Sequence, residues 1–364
     1  MLRFEDPAKL KTKKIVFEDV YVGRDSGTLE QLKELSSKRR VIEESINESS
    51  FITDAIAREI SGGLTSPCEQ DLQKLEQYLP LLENLVVHFD LVSNNRQMIV
   101  WTTELKIRWT SALSYFQIDS LRFELCMTLF LYGAILRERA LEVLPADLVQ
   151  SATLFRKAAG VYQYLAHDVI PSLHPASTAE RPPESTSAVS SVMSLICLAE
   201  AQVRNTGGLL AKLHYGVTQF LDEATGVLYS TTGECKDISS RFCFLGSLQD
   251  FISSCKALHE LRSQKYLADS LKIAGQVGVA VGVLHHALVN AKKKMPGEES
   301  WRVVFRKEID DAADMLRKYE HENEFVWREK IPTMDELPLL EGKKIVNFIP
   351  YHPQRWERAL VFNI

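Results

Sequence analysis

Apolar residues recur at helical spacing over most of the chain. Between residues 209 and 221 they fall at Leu209, Leu210, Leu213, Val217, Phe220 and Leu221. Steps of three and four predict an amphipathic helix with a wide apolar stripe over 208–223. Gly207 and Gly208 precede it. Each would cost a helix interior about 1 kcal/mol relative to alanine, so they mark the entry. A stripe this wide raises the question of what covers the edge that does not face the core. Over 120–142 the apolar residues Leu121, Leu125, Leu129, Leu131, Ile135 and Leu136 lie almost all round the helix, which predicts burial. Further helices are predicted over 28–47, with Thr28 and Gln31 as a capping box, and over 51–60, 69–88 (kinked or broken at Pro80), 101–112 and 145–170. The same spacing continues over 188–203, 239–262, 264–292 and 300–328.

The exceptions are few. KIVFEDVYVG (14–23) alternates through Ile15, Phe17, Val20 and Val22 and predicts a strand in an N-terminal region, 1–27. Pro171, Pro175, Pro182 and Pro183 mark 171–187 as a mobile loop. Pro332, Pro338, Pro350 and Pro353 make 332–364 an extended strap, with one short strand at Lys344–Ile349. Helices of this length joined by short turns predict stacked antiparallel hairpins. The helical array would occupy 28–331 of a single domain spanning 1–364.

Composition changes this picture little. Of 364 residues, 45% are hydrophobic and 25% charged, as in ordinary folded proteins. A net charge of −5 gives no global attraction to nucleic acid or anionic lipid. Cys126 and Cys197 lie in apolar helical runs and read as reduced core residues. Without an 18-residue apolar stretch, a glycine at position 2 or a C-terminal prenylation cysteine, the chain is expected in the cytoplasm. Any membrane address would come from a partner.

Candidate chemistry is sparse. His285 and His286 are adjacent, so one helix face cannot aim both at one metal. His167 and Asp168 have no nucleophile nearby in sequence. GQVGVAVG (275–282) fits neither phosphate-loop spacing and follows no strand; its glycines read as a close approach of two helices. No catalytic motif points to an enzyme, and no cofactor or metal is expected.

Four runs occur in one order: FRKAAGVYQYLAHDVIPSL (155–173), LICLAEAQ (195–202), LLAKL (209–213) and ENEFVWREKIP (322–332). Together they resemble the Bro-one domain family, from about residue 69 to 340. The resemblance implies a mainly α fold, an elongated, boomerang-like array of helix hairpins with a tetratricopeptide-like middle and a small β element. It implies a non-enzymatic adaptor of the endosomal sorting (ESCRT) pathway, recruited to endosomes and multivesicular bodies. The implied partner is the C-terminal amphipathic helix of an ESCRT-III core subunit, a charged multivesicular body protein. The family's apolar patch on the concave face maps onto Leu209 and Leu213, expected to be accessible, with Leu210, Val217 and Leu221 facing the core. Where the family carries a bulky aromatic after the AEAQ-like run, this chain has Val203-Arg204-Asn205. The alternative is a helical-repeat scaffold for a different peptide.

Overall fold

Side-chain caps and turn residues set the helix limits. In the computed structural model, which describes residues 10–48, 66–92, 95–111, 114–173, 181–202, 209–232, 239–354 and 358–364, α1 runs over Ser26–Glu48 and α2 over Pro67–Leu91. Asp25 Oδ1 accepts the Thr28 N–H at 2.6 Å, so Asp25 provides the cap expected of Thr28. The Thr28 hydroxyl instead accepts the Val361 N–H at 3.0 Å. Ser66 Oγ accepts the Glu69 N–H at 3.2 Å, and Pro67 takes the first position of α2, where its missing N–H costs nothing. The helix runs on through Pro80 rather than breaking there.

Asn95 caps α3, Arg96–Glu104, which ends well before the expected residue 112. A hairpin follows, β1 (Arg108–Ser111) antiparallel to β2 (Ser114–Gln117), with Trp109 opposite Phe116. The expected strand at 14–23 does not form. The Phe17 carbonyl accepts the N–H groups of both Val20 (3.2 Å) and Tyr21 (2.8 Å), closing a turn. Ile15, Phe17 and Tyr21 are buried, whereas Val22 is 49% exposed, so only the first half of the alternation records burial, and without a ladder.

Helix α4 (Leu121–Val143) is buried along nearly its whole length and packs on α2 and on α5 (Leu148–Tyr164). It also carries a charge into the core. Glu124 and Arg39 pair at 2.5 Å with both side chains fully buried. Glu124 further accepts from Trp109 Nε1 at 2.6 Å and from the Tyr78 hydroxyl at 3.2 Å. Such a pair is tolerated because these hydrogen bonds replace the water Glu124 lost, while Arg39 donates from Nη2 to the Thr12 hydroxyl.

A π turn at Leu165–Val169 and a 3-10 turn at Ile170–Ser172 follow α5. The expected mobile loop is only partly testable, because 174–180 lie outside the described residues, as does the helix expected at 51–60. Pro183–Ser185 is a buried 3-10 turn, so this part of the loop is fixed. Then come α6 (Ser187–Gln202), α7 (Leu210–Thr232), α8 (Ser239–Ile273), α9 (Val277–Lys293) and α10 (Glu299–Glu322). The break between α8 and α9 falls at Gly275, whose φ of +80° suits glycine, and not at Ser263, which is buried inside α8.

Two compact units divide the chain. One holds Asp6–Ser194 and Phe348–Ile364; the other holds Leu195–Glu234 and Leu245–Asn347. Leu261, Ala280, Leu284, Ile309 and Leu316 are among the core residues of the second, drawn from α8, α9 and α10. Among its described residues, the strap from Pro332 holds a 3-10 turn at Met334–Glu336 and an isolated bridge of Phe362 to Gly23, and the strand expected at Lys344–Ile349 does not form. Cys126 and Cys197 are buried and in no disulfide, and burial pushes the Cys126 thiol up to about 12.

Candidate partner-binding site

The first turns of α7 carry the two leucines singled out by sequence. Leu209 stands just ahead of the helix, 47% exposed, and its carbonyl accepts the Leu213 N–H at 2.9 Å. Leu213 is only 7% exposed. Expected accessibility therefore holds for Leu209 and not for Leu213. The reason is the register of the buried stripe, which runs Leu213, Val217, Phe220, Leu221, Ala224 and Leu228. Leu213 lies one helical turn before Val217 on that buried face, whereas Leu209, a further turn back, precedes the first residue of α7 and stays exposed. Leu210 is half-buried, and Lys212 is exposed beside them.

The strap covers the second edge of the stripe. Lys343 N–H donates to the Lys212 carbonyl at 3.0 Å. Lys344 Nζ lies 4.6 Å from the Phe220 ring centroid and pairs with Glu223. Gly216 makes the approach possible: a Cβ there would come within 2.4 Å of the Lys343 carbonyl oxygen. Gly278 and Gly282 serve the same segment. A Cβ on Gly278 would meet the Lys330 carbonyl at 2.7 Å, and one on Gly282 would meet Leu337 and Pro332. These glycines admit the strap, which corrects the expected helix-to-helix approach.

Gln202, the last residue of α6 and of the AEAQ run, escaped notice in the sequence. Its buried carboxamide donates from Nε2 to the Leu213 carbonyl (2.7 Å) and the Lys343 carbonyl (3.0 Å), and its Oε1 accepts the Ile345 N–H (3.0 Å). A polar residue ending an apolar helix, with a glycine in the middle of the next, is the only trace this arrangement leaves in the sequence.

Behind the stripe, His214 on α7 and His259 on α8 face each other through their Nδ1 atoms at 2.8 Å, both buried. One Nδ1 must carry the hydrogen and the other accept it. Tyr266 stacks on His214 at 5.3 Å. Burial lowers the His214 imidazole to about 4; Arg262 lowers it further, while Glu308 opposes the shift.

The other candidates resolve into structure. His286 Nε2 contacts Asn290 Nδ2 at 3.0 Å, and His285 is exposed. His167 Nδ1 contacts the Gln163 carbonyl at 3.0 Å. Among the described residues, no group of three or more His, Cys, Asp or Glu could hold a metal ion. An open cleft of about 910 Å³ near Asp222, Asp250, Lys256 and Trp301 carries mixed polar and apolar walls.

No curated protein matches the sequence. Solved structures do. The Bro1 domain described in a structural study of endosomal targeting superposes with a TM-score of 0.62 at 15% identity, covering 96% of this chain and 91% of that one. The ALIX BRO1 domain in complex with CHMP4C gives 0.69 at 17% identity, covering 96% of each. ALIX bound to the SIVmac239 PYKEVTEDL late domain gives 0.71 at 17%, covering 98% of this chain and 50% of that one. At such identities the likeness establishes the fold, a mainly helical one with a small antiparallel sheet. The family model for the BRO1-like domain matches residues 39–361, a stretch that takes in both compact units and the strap, and on that match the chain belongs to the BRO1-like domain family.

Proposed function

We propose that this protein is a non-enzymatic adaptor of the ESCRT pathway that binds the C-terminal amphipathic helix of an ESCRT-III core subunit. The observation that carries this reading is the ALIX BRO1 complex with CHMP4C, a structure of the same fold over 96% of this chain. Leu209 supplies the exposed apolar contact, and Leu213, one turn along and buried, backs it. An exposed leucine at the head of a helix suits the helix-in-groove mode, in which a partner's apolar face covers it. Endosomal recruitment would follow from such a contact, in keeping with the endosomal targeting described for a Bro1 domain. Among the described residues no helix is long and apolar enough to cross a membrane.

The test is a titration of a C-terminal ESCRT-III helix peptide against wild type and Leu209→Asp. Burying one leucine supplies roughly 1.5–3 kcal/mol, so the variant should bind about ten- to a hundredfold more weakly while its melting temperature stays close to wild type. Leu213→Ala should instead lower stability by about 2–5 kcal/mol, as for a core leucine. A folded Leu209→Asp protein with unchanged affinity would overturn the assignment. Preference for an unrelated peptide would favour a scaffold of different specificity.

A further inference from the structure

We infer that Gln202 is a positioning residue that locks the first turns of α7 to the C-terminal strap, so that contact at Leu209 and docking of the strap are coupled. The inference rests on the binding role proposed above for Leu209. Its geometric basis is a buried clasp. Three of the four hydrogen bonds the carboxamide can make are formed: two donors, one to α7 and one to the strap, and an acceptor for the strap. A second strand of the clasp bypasses Gln202, from Lys343 N–H to the Lys212 carbonyl. The carbonyls held in this way, Lys212 and Leu213, lie in the turn that begins with Leu209.

The clasp is polar and shielded from water. Gln202 is fully buried, and Gly216 closes on it so tightly that an added Cβ would come within 2.4 Å of Nε2 as well as of the Lys343 carbonyl oxygen. Removing the amide therefore leaves buried backbone groups without partners, which a buried site tolerates poorly. The strap and the leading turn of α7 can then shift only together. A partner that fixes the Leu209 turn must hold the strap more firmly, and a released strap must weaken the partner, because coupling between two sites is reciprocal.

Hydrogen exchange and peptide titration test this on the full chain. In the free protein, Gln202→Leu should speed exchange of the Ile345 amide, whose acceptor it removes, by about tenfold, the equivalent of one net hydrogen bond. Gly216→Ala reaches the same clasp without altering Gln202 and should do likewise; it also serves if Gln202→Leu does not fold. A saturating ESCRT-III C-terminal helix peptide should slow Ile345 exchange in wild type and not in either variant, a readout that a merely structural glutamine would not move. Both variants should bind the peptide about tenfold more weakly. If Leu209→Asp loses the peptide while Gln202→Leu and Gly216→Ala bind it as wild type does, the coupling is wrong and the binding site stands. If wild type ignores the peptide, the binding site is wrong. Unchanged Ile345 exchange in the free variants would then also overturn the clasp.

Discussion

His214 shows how one side chain makes α7 sensitive to pH. Its Nδ1 faces the Nδ1 of His259 at 2.8 Å, so a proton added to the accepting ring would set two N–H groups against each other. Burial adds to this, and the folded imidazole titrates at about 4. An unfolded histidine titrates near 6.5. The unfolded chain therefore takes the proton first. The stability held by neutral His214 is fully present above about pH 6.5 and drains away as pH falls toward 4. Between pH 7.5 and pH 5 the loss should be about 2 kcal/mol. Urea unfolding at the two pH values, compared with His214→Asn, measures it. The variant keeps a hydrogen-bonding group toward His259 and should lose about 2 kcal/mol less over that interval. Equal pH slopes would remove His214 as the cause.

At the scale of elements, glycines divide into those that admit the strap and those that do not. Gly160 on α5 admits it at one point: a Cβ would come within 1.8 Å of the Ile349 carbonyl oxygen, whose residue also donates its N–H to the Arg156 carbonyl. Gly226, exposed on α7, has nothing within 4 Å of an added Cβ. Gly226→Ala should raise stability by about 0.5–1 kcal/mol through helix propensity alone. Gly160→Ala should lower it despite the same gain, because a backbone carbonyl must move. Thermal unfolding of the pair reads the sign of each, and stabilisation by Gly160→Ala would show that the strap is not seated there. This is also where sequence reading reached its limit. Helices α4, α7 and α10 were legible because side chains at 3.6-residue spacing record which face is buried. The strap docks through the carbonyl of Lys343 and the N–H groups of Lys343, Ile345 and Ile349, and backbone groups leave no side-chain pattern. Hence the second edge of the α7 stripe read as vacant when the chain's own tail covers it, and Leu213 read as accessible. The β1–β2 hairpin was missed for a related reason: four-residue strands are too short for alternation to outvote a neighbouring helical pattern.

At the scale of the whole molecule, residues 348–364 belong with the first half of the chain in one unit. Within one unit the last residues join elements far apart in sequence. The Tyr351 hydroxyl donates to Glu83 at 2.9 Å, and Asn84 Nδ2 donates to the Arg358 carbonyl at 3.0 Å. The Val361 carbonyl accepts the Arg24 N–H at 2.8 Å, and Asn363 N–H donates to the Val22 carbonyl at 2.9 Å. Phe362 is 8% exposed and packs against Tyr21 with ring centroids 5.8 Å apart. The tail thus closes the segment before α1 onto its own unit, and Glu83 and Asn84, both buried, spend hydrogen bonds on it. Deleting 348–364 removes these bonds and leaves Tyr21 uncovered. A net loss of about 3 kcal/mol, roughly one buried aromatic and one hydrogen bond, would lower the melting temperature of a chain this long, melting as one, by about 4 °C. The division between the two units falls inside α6, between Ser194 and Leu195. A single domain over 1–364 would melt in one transition, and the truncation should shift that transition as a whole. Calorimetry of the two chains decides the matter. Two resolved transitions, only one of them lowered, would mean independently folding units, and an unchanged curve would make the tail a free extension.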